Sequence, residues 1–200
     1  MRVLIAEDDP LIALGLAERL RSLGHEPIGP AGDGEQAIEL ARASLPDLYL
    51  FDIEMPTVDG LEAATQLTGE GLRRPVVVVT GVDDPSLIER SIASGVSAYL
   101  TKPVDSRELD AALALAAARH AEFRALEAEV DRAQQALEDR KLVERAKGLL
   151  MSALNLSEQD AFRRLQLTAR ERNLRLAEVA GRIVEQQSLL EPKRKRPAAH

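Results

Sequence analysis

Val3-Leu4-Ile5-Ala6-Glu7-Asp8-Asp9-Pro10 decides the fold. Four apolar residues with a β-branched bias suit a short buried parallel strand. Three consecutive acids end it, and a proline opens the segment Pro10–Leu23, where Leu11, Leu14, Leu16, Leu20 and Leu23 recur at helical spacing before Gly24. The same unit repeats downstream. Strands are predicted at Met1–Ala6, Pro27–Gly29, Asp47–Ile53, Pro75–Val79 and Ser97–Leu100, and helices at Pro10–Leu23, Gly34–Ala43, Val58–Thr68, Pro85–Ser94 and Ser106–Ala118. Alternation of this kind predicts an α/β fold, a (βα)5 doubly wound parallel sheet.

Ligands of such sheets bind outside the carboxyl ends of the strands. Glu7-Asp8-Asp9 ends the first predicted strand, Asp52 the third and Thr80 the fourth, and Lys102 follows the fifth. Clustered carboxylates repel unless a cation neutralises them, and hard oxygen ligands favour Mg2+. A carboxylate beside that ion can attack a phosphoryl group and form an aspartyl-phosphate, with a hydroxyl and an ammonium to hold the phosphate oxygens. Asp9 and Asp33 are read as helix caps.

Residues 1–118 resemble a two-component receiver domain of the flavodoxin-like type. The resemblance rests on Val3–Pro10, on Leu50-Phe51-Asp52-Ile53-Glu54-Met55-Pro56 with Asp59-Gly60, on Thr80-Gly81, and on Tyr99-Leu100-Thr101-Lys102-Pro103. It implies that Asp52 accepts phosphate from a sensor histidine kinase. It implies Mg2+ held by Glu7, Asp8, Asp52 and the backbone carbonyl of Glu54. Thr80 and Lys102 would bind the phosphate, Tyr99 would switch rotamer with Thr80, and Lys102–Pro103 would be a cis peptide. The rival is an aspartate-nucleophile phosphatase of the haloacid dehalogenase type. That class wants a second Asp where Glu54 stands, and a cap insertion for which the module has no room.

Charge divides the chain. Its net of −7 hides a residue 1–119 segment at −10 and a residue 120–200 segment at +3, and such asymmetry suggests modules with different partners. Phe123, Leu126, Val130, Ala133 and Leu137 are spaced 3, 4, 3, 4, the seam of a short coiled coil. A parallel dimer is expected over a helix folded against its own chain. Beyond it, three helices with apolar faces are expected to close a small all-α core: one through Leu142–Ala153, one capped by Ser157 with Asp160, and one over Leu176–Leu190.

Lys141-Leu142-Val143-Glu144-Arg145-Ala146-Lys147-Gly148-Leu149-Leu150-Met151, with Ala161-Phe162-Arg163-Arg164-Leu165, Ala169 and Leu176–Ala180, resembles the ANTAR domain over about residues 138–190. The resemblance implies an RNA-binding antiterminator that stabilises hairpins in leader transcripts. Gln166 stands where that family commonly carries Arg. The expected RNA contacts are Lys147, Arg163, Arg164, Arg170, Arg172 and Arg175, with stacking excluded as the main force because Phe162 is assigned to the core. Lys147 has the alternative of packing its stem within the domain.

The sequence thus divides into a receiver (1–118), a helical connector (119–140), an RNA-binding domain (141–190) and a basic tail (191–200). The expected partners are a histidine kinase, RNA hairpins and a second copy on phosphorylation. A DNA-binding output and a purely structural dimerisation domain are the alternatives. No catalytic constellation follows residue 118, so no enzymatic output is expected. No cysteine is present and no apolar run approaches the ~18–20 residues of a membrane span, so a soluble cytoplasmic protein without membrane partners is expected.

Overall fold

The computed structural model describes residues 1–81, 90–91 and 94–190, the last three of these by backbone alone. The helix expected at Pro85–Ser94 falls mostly outside the described residues, and the basic tail wholly so. The chain divides into two compact units, Met1–Ala125 and Leu126–His200.

In the first unit the short apolar runs become five strands: β1 (Arg2–Ala6), β2 (Glu26–Ala31), β3 (Leu48–Asp52), β4 (Val76–Thr80) and β5 (Ala98–Thr101). All pair in parallel, in the order β2-β1-β3-β4-β5. This is the flavodoxin-like order, whose switch point lies between β1 and β3. Strands β3 and β4 are buried along their whole length, because helices cover both faces of a parallel sheet. Alternate side chains feed two cores. Leu4, Tyr49, Phe51, Val76 and Val78 pack against α2 (Gly34–Ser44) and α3 (Gly60–Gly69). Val3, Ile5, Leu48, Leu50, Val77 and Val79 pack against α1 (Pro10–Ser22) and the start of α4 (Ser106–Leu154).

Two details depart from the sequence reading. β2 runs on through Pro30 to Ala31, across a cis Gly29–Pro30 bond. An edge strand tolerates proline because one side of its backbone needs no partner. On α1 the buried face is Ala13, Leu16, Ala17 and Leu20, whereas Leu11 and Leu14 are exposed by 80% and 58%. The alanines let the helix approach the sheet closely, and this turns the two outer leucines to solvent.

In the second unit, the last part of α4 packs with α5 (Glu158–Arg172) and α6 (Leu176–Leu190) around Ala146, Leu165, Ala169, Val179, Ala180 and Val184. α4 is one uninterrupted helix of 49 residues. It stops at Asn155, which takes the left-handed conformation (φ 49°) that asparagine tolerates. Ser157 caps α5 by accepting from the Asp160 N–H, and Asn173 ends that helix with φ 52°. The seam residues Phe123, Leu126, Val130 and Leu137 are all exposed within the single chain.

One backbone approach ties α3 to the end of β3. A Cβ on buried Gly60 would collide with the carbonyl oxygen of Asp52, while the Gly60 N–H donates to the Ile53 carbonyl at 3.2 Å. Gly60→Ala is expected to lower stability by about 1–3 kcal/mol, the usual range for overpacking, read from the midpoint of urea unfolding.

Candidate functional site

Strand register assembles the site. Ala6 pairs with Phe51, so Glu7 lies level with Asp52; Asp52 pairs with Val79, and Thr80 with Thr101. Each functional group is therefore the last strand residue or the next one along. Glu7, Asp52 and Thr80 are buried, at 2%, 5% and 0% exposure. The Lys102 ammonium lies between the two carboxylates, 2.6 Å from Asp52 Oδ2, 2.9 Å from Glu7 Oε1 and 2.7 Å from Glu7 Oε2. The Glu54 N–H donates to Asp52 Oδ1 at 3.2 Å.

The electrostatics are unbalanced. Burial pushes the Glu7 carboxyl above its ordinary range; the hydrogen bond from Lys102 opposes this, and the charge of Asp52 adds to it. Burial alone would lower the Lys102 ammonium, but hydrogen bonds to Asp52 and Glu7 outweigh it and raise the group. One cation faces two buried carboxylates and a third beside them. Glu7, Asp8 and Asp52 each bring a carboxylate oxygen within 4.8 Å of the others, and Asp8 is exposed. Buried Glu7 Oε2 lacks an aligned hydrogen-bond donor among the described residues despite its closeness to the ammonium. An all-oxygen cluster with surplus negative charge and a spare buried lone pair fits a hard divalent cation.

The remaining expected residues fall as follows. Asp9 is turned away from the cluster and caps α1, accepting from Leu11 N at 2.8 Å and Ile12 N at 3.2 Å. Asp33 caps α2 in the same way. The Glu54 side chain is exposed, and Tyr99 is half-buried against the α2–α3 core. Lys102–Pro103 is cis. Beside Lys102 and Pro103, a cleft of about 550 Å³ is lined by Leu11, Ile12, Leu16 and Val104. The sequence reading did not single out this apolar rim, since helical spacing alone did not separate Leu11 from the buried residues of α1.

In the second unit two expectations change. Lys147 is not displayed to solvent: its ammonium is held by Glu158 at 2.6 Å and Glu144 at 2.9 Å, and these bonds raise its pKa. It thereby links α4 and α5, which matches the alternative that Lys147 packs within the domain. Glu144 lies one helical turn away and was visible in the sequence; Glu158 lies across the α4–α5 turn and was not. Phe162 is outside the core, at 36% exposure. Arg163, Arg164, Arg170, Arg172 and Arg175 are exposed, and the last is tied to Glu178 through its backbone N–H at 2.7 Å.

A parallel five-stranded sheet with carboxylates, a hydroxyl and a lysine at its switch point defines a receiver fold. Residues 3–114 match the response regulator receiver domain and residues 131–184 match the ANTAR domain. The chain is 45% identical over 184 residues to the transcriptional regulatory protein PdtaR of Mycobacterium tuberculosis, covering 92% of this chain and 89% of that one. It is 31% identical over 110 residues to the transcriptional regulatory protein NarL of the same organism, covering 54% and 51%. The solved receiver domain of that NarL superposes with a TM-score of 0.54 at 32% identity, covering 57% of this chain and 94% of that one. The BeF3-activated receiver domain of Klebsiella pneumoniae RstA gives 0.55 at 28%, covering 58% and 98%. The chain belongs to the response regulators that join a receiver domain to an ANTAR domain. Among the described residues no helix is long and apolar enough to cross a membrane.

Removing Lys102 leaves buried charge uncompensated. Lys102→Met is expected to lose about 3 kcal/mol at pH 7.5, the low end for breaking a buried pair because Lys102 is partly exposed. The sign follows from Glu7. Its folded-state pKa is raised, so its favourable contribution is present at low pH and is lost as pH rises through the folded value. Urea unfolding at pH 5 is thus expected to show a smaller deficit, and an equal loss at both pH values would assign Lys102 a packing role.

Proposed function

We propose that the protein is a phosphorylation-controlled regulator whose output is RNA binding. The observation that carries the first half is the Lys102 ammonium 2.6 Å from Asp52 at the switch point of the sheet. Asp52 is the phosphoacceptor. Its carboxylate oxygen attacks the phosphorus of a kinase phosphohistidine, the P–N bond breaks, and the imidazole leaves as an acyl phosphate forms. Glu7, Asp8, Asp52 and the Glu54 carbonyl hold Mg2+, which when bound offsets charge on the transferring group. Lys102 and the Thr80 hydroxyl take the phosphate oxygens. Moving the ammonium from Glu7 and Asp52 to a phosphate gives Thr80 and Tyr99 a reason to shift inward. The exposed Leu11 and Leu14 on α1, with Leu11 on the rim beside Lys102, support a protein phosphodonor, a sensor histidine kinase.

The ANTAR match supports RNA hairpins in leader transcripts as the output ligand, and transcription antitermination as the effect. The chain comprises a receiver (1–118), a connector (119–140), an RNA-binding domain (141–190) and a basic tail (191–200). Exposure of Phe123, Leu126, Val130 and Leu137 along one seam supports pairing of two copies on phosphorylation. Phosphate charge drives the RNA contact, through Arg163, Arg164, Arg170, Arg172 and Arg175.

Incubation with radiolabelled acetyl phosphate is expected to label the wild type and leave Asp52→Asn unlabelled; equal labelling would overturn the phosphoacceptor assignment. In gel shifts, a two-hairpin RNA is expected to bind at least about tenfold more tightly than duplex DNA of equal length, with strong salt dependence. Tight sequence-specific DNA binding without RNA preference would make the output a DNA-binding one.

A further inference from the structure

Phe162 is the sole aromatic ring after Phe123. It lies on a strongly polar helix, outside the hydrophobic core and 36% exposed. Its surroundings follow from helix geometry, where residues three and four apart are neighbours. Gln159, Phe162, Arg163, Gln166 and Arg170 occupy one flank of α5, and all five are exposed. Those five positions include no acid, and Asp160, at i−3 from Arg163, accepts from the Ser157 hydroxyl at 2.6 Å. The nearest carboxylate, Glu158 at i−4 from Phe162, is bound to Lys147 at 2.6 Å. The opposite flank differs: Arg164 lies there with Asp160, Leu167 and Glu171. Among the described residues no ring or guanidinium stacks on Phe162.

Resting on the RNA reading above, we propose that Phe162 is a stacking platform for an unpaired base of the hairpin loop, with Gln166 beside it to read that base. Sequence-specific RNA recognition targets unpaired loop bases, which stack on aromatic rings and present their hydrogen-bonding edges. The Gln166 amide carries both a donor and an acceptor, so it can match a base edge, whereas an arginine there could only donate. Gln159 and Gln166 adjoin the ring, and Arg163 and Arg170 lie further along the same flank, where they meet phosphates next to the stacked base. Arg164 lies on the other flank, outside this stacking site. Charge complementarity selects a polyanion over a second protein surface: an exposed ring beside two glutamines, on a flank that carries two arginines, suits a nucleic acid strand.

The test uses the full-length phosphorylated protein. A pool of two-hairpin RNAs with randomised loops is enriched on the wild type, and the winning RNA is labelled with 2-aminopurine at single loop positions. At one position, binding to the wild type is expected to quench the fluorescence. Phe162→Leu is expected to abolish that quenching and weaken binding about five- to a hundredfold, with the salt slope unchanged; Phe162→Trp is expected to retain both. Arg163→Ala and Arg170→Ala are each expected to lower the salt slope by about 0.7–0.9 while keeping the quenching. If the wild type enriches no RNA, the RNA reading and this inference fall together. If the wild type binds and Phe162→Leu binds as tightly, only the assignment of Phe162 falls. A Phe162→Leu effect on sedimentation without one on RNA affinity would likewise overturn it, by assigning the ring to a protein contact.

Discussion

A single ammonium holding two buried carboxylates is the constraint on which the receiver half depends. Lys102 reaches Glu7 and Asp52 from the far side of the sheet, across 95 and 50 residues of sequence. Without that cation the carboxyl edge of the sheet would carry like charges within 4.8 Å of one another in a poorly solvated setting. With it, burial still holds the Glu7 carboxyl above its ordinary range, and the charge of Asp52 adds to the shift. A site left in that condition favours binding of a further cation.

The close approach of Gly60 to the Asp52 backbone makes the same residue a structural junction. Asp52 ends β3, its carbonyl abuts α3, and its side chain meets Lys102 after β5. Displacement at this point is felt by several elements because packed interiors deform little. The second unit shows the opposite economy of charge. Among its described residues the most buried cation, Lys147, is matched by Glu144 and Glu158, whereas Arg163, Arg164, Arg170 and Arg172 lie exposed. Fixed charges make the scaffold and free ones make the surface.

Most of the fold was legible in the chain. The apolar runs at Val3–Ile5 and Val76–Val79 are too short for helices and too β-branched for loops, and the acids that end the first of them mark the sheet edge. Asp9 read correctly as a cap, because a short acid just before Pro10 has two free helix N–H groups within reach. Glu7, Asp8, Asp52, Thr80 and Lys102 could be placed at one edge because strand ends in a parallel sheet are themselves at one edge. The reading weakened wherever a residue sat at the border of a helical face. Leu11 and Phe162 are both within one turn of true core positions, and periodicity alone cannot tell a border residue from a buried one.

The sequence by itself determined the alternation of strands and helices, the chemistry available at the strand ends and the division of charge between the two halves. These depend on local pattern and composition, which survive without knowledge of what lies opposite. Tertiary structure decided which groups meet. It alone set Lys102 between Glu7 and Asp52, joined Lys147 to Glu158 across a turn, and left Phe162 partly exposed outside the core. Pairing and exposure depend on helix rotation and on strand register, and both are fixed by packing against residues far away in the chain.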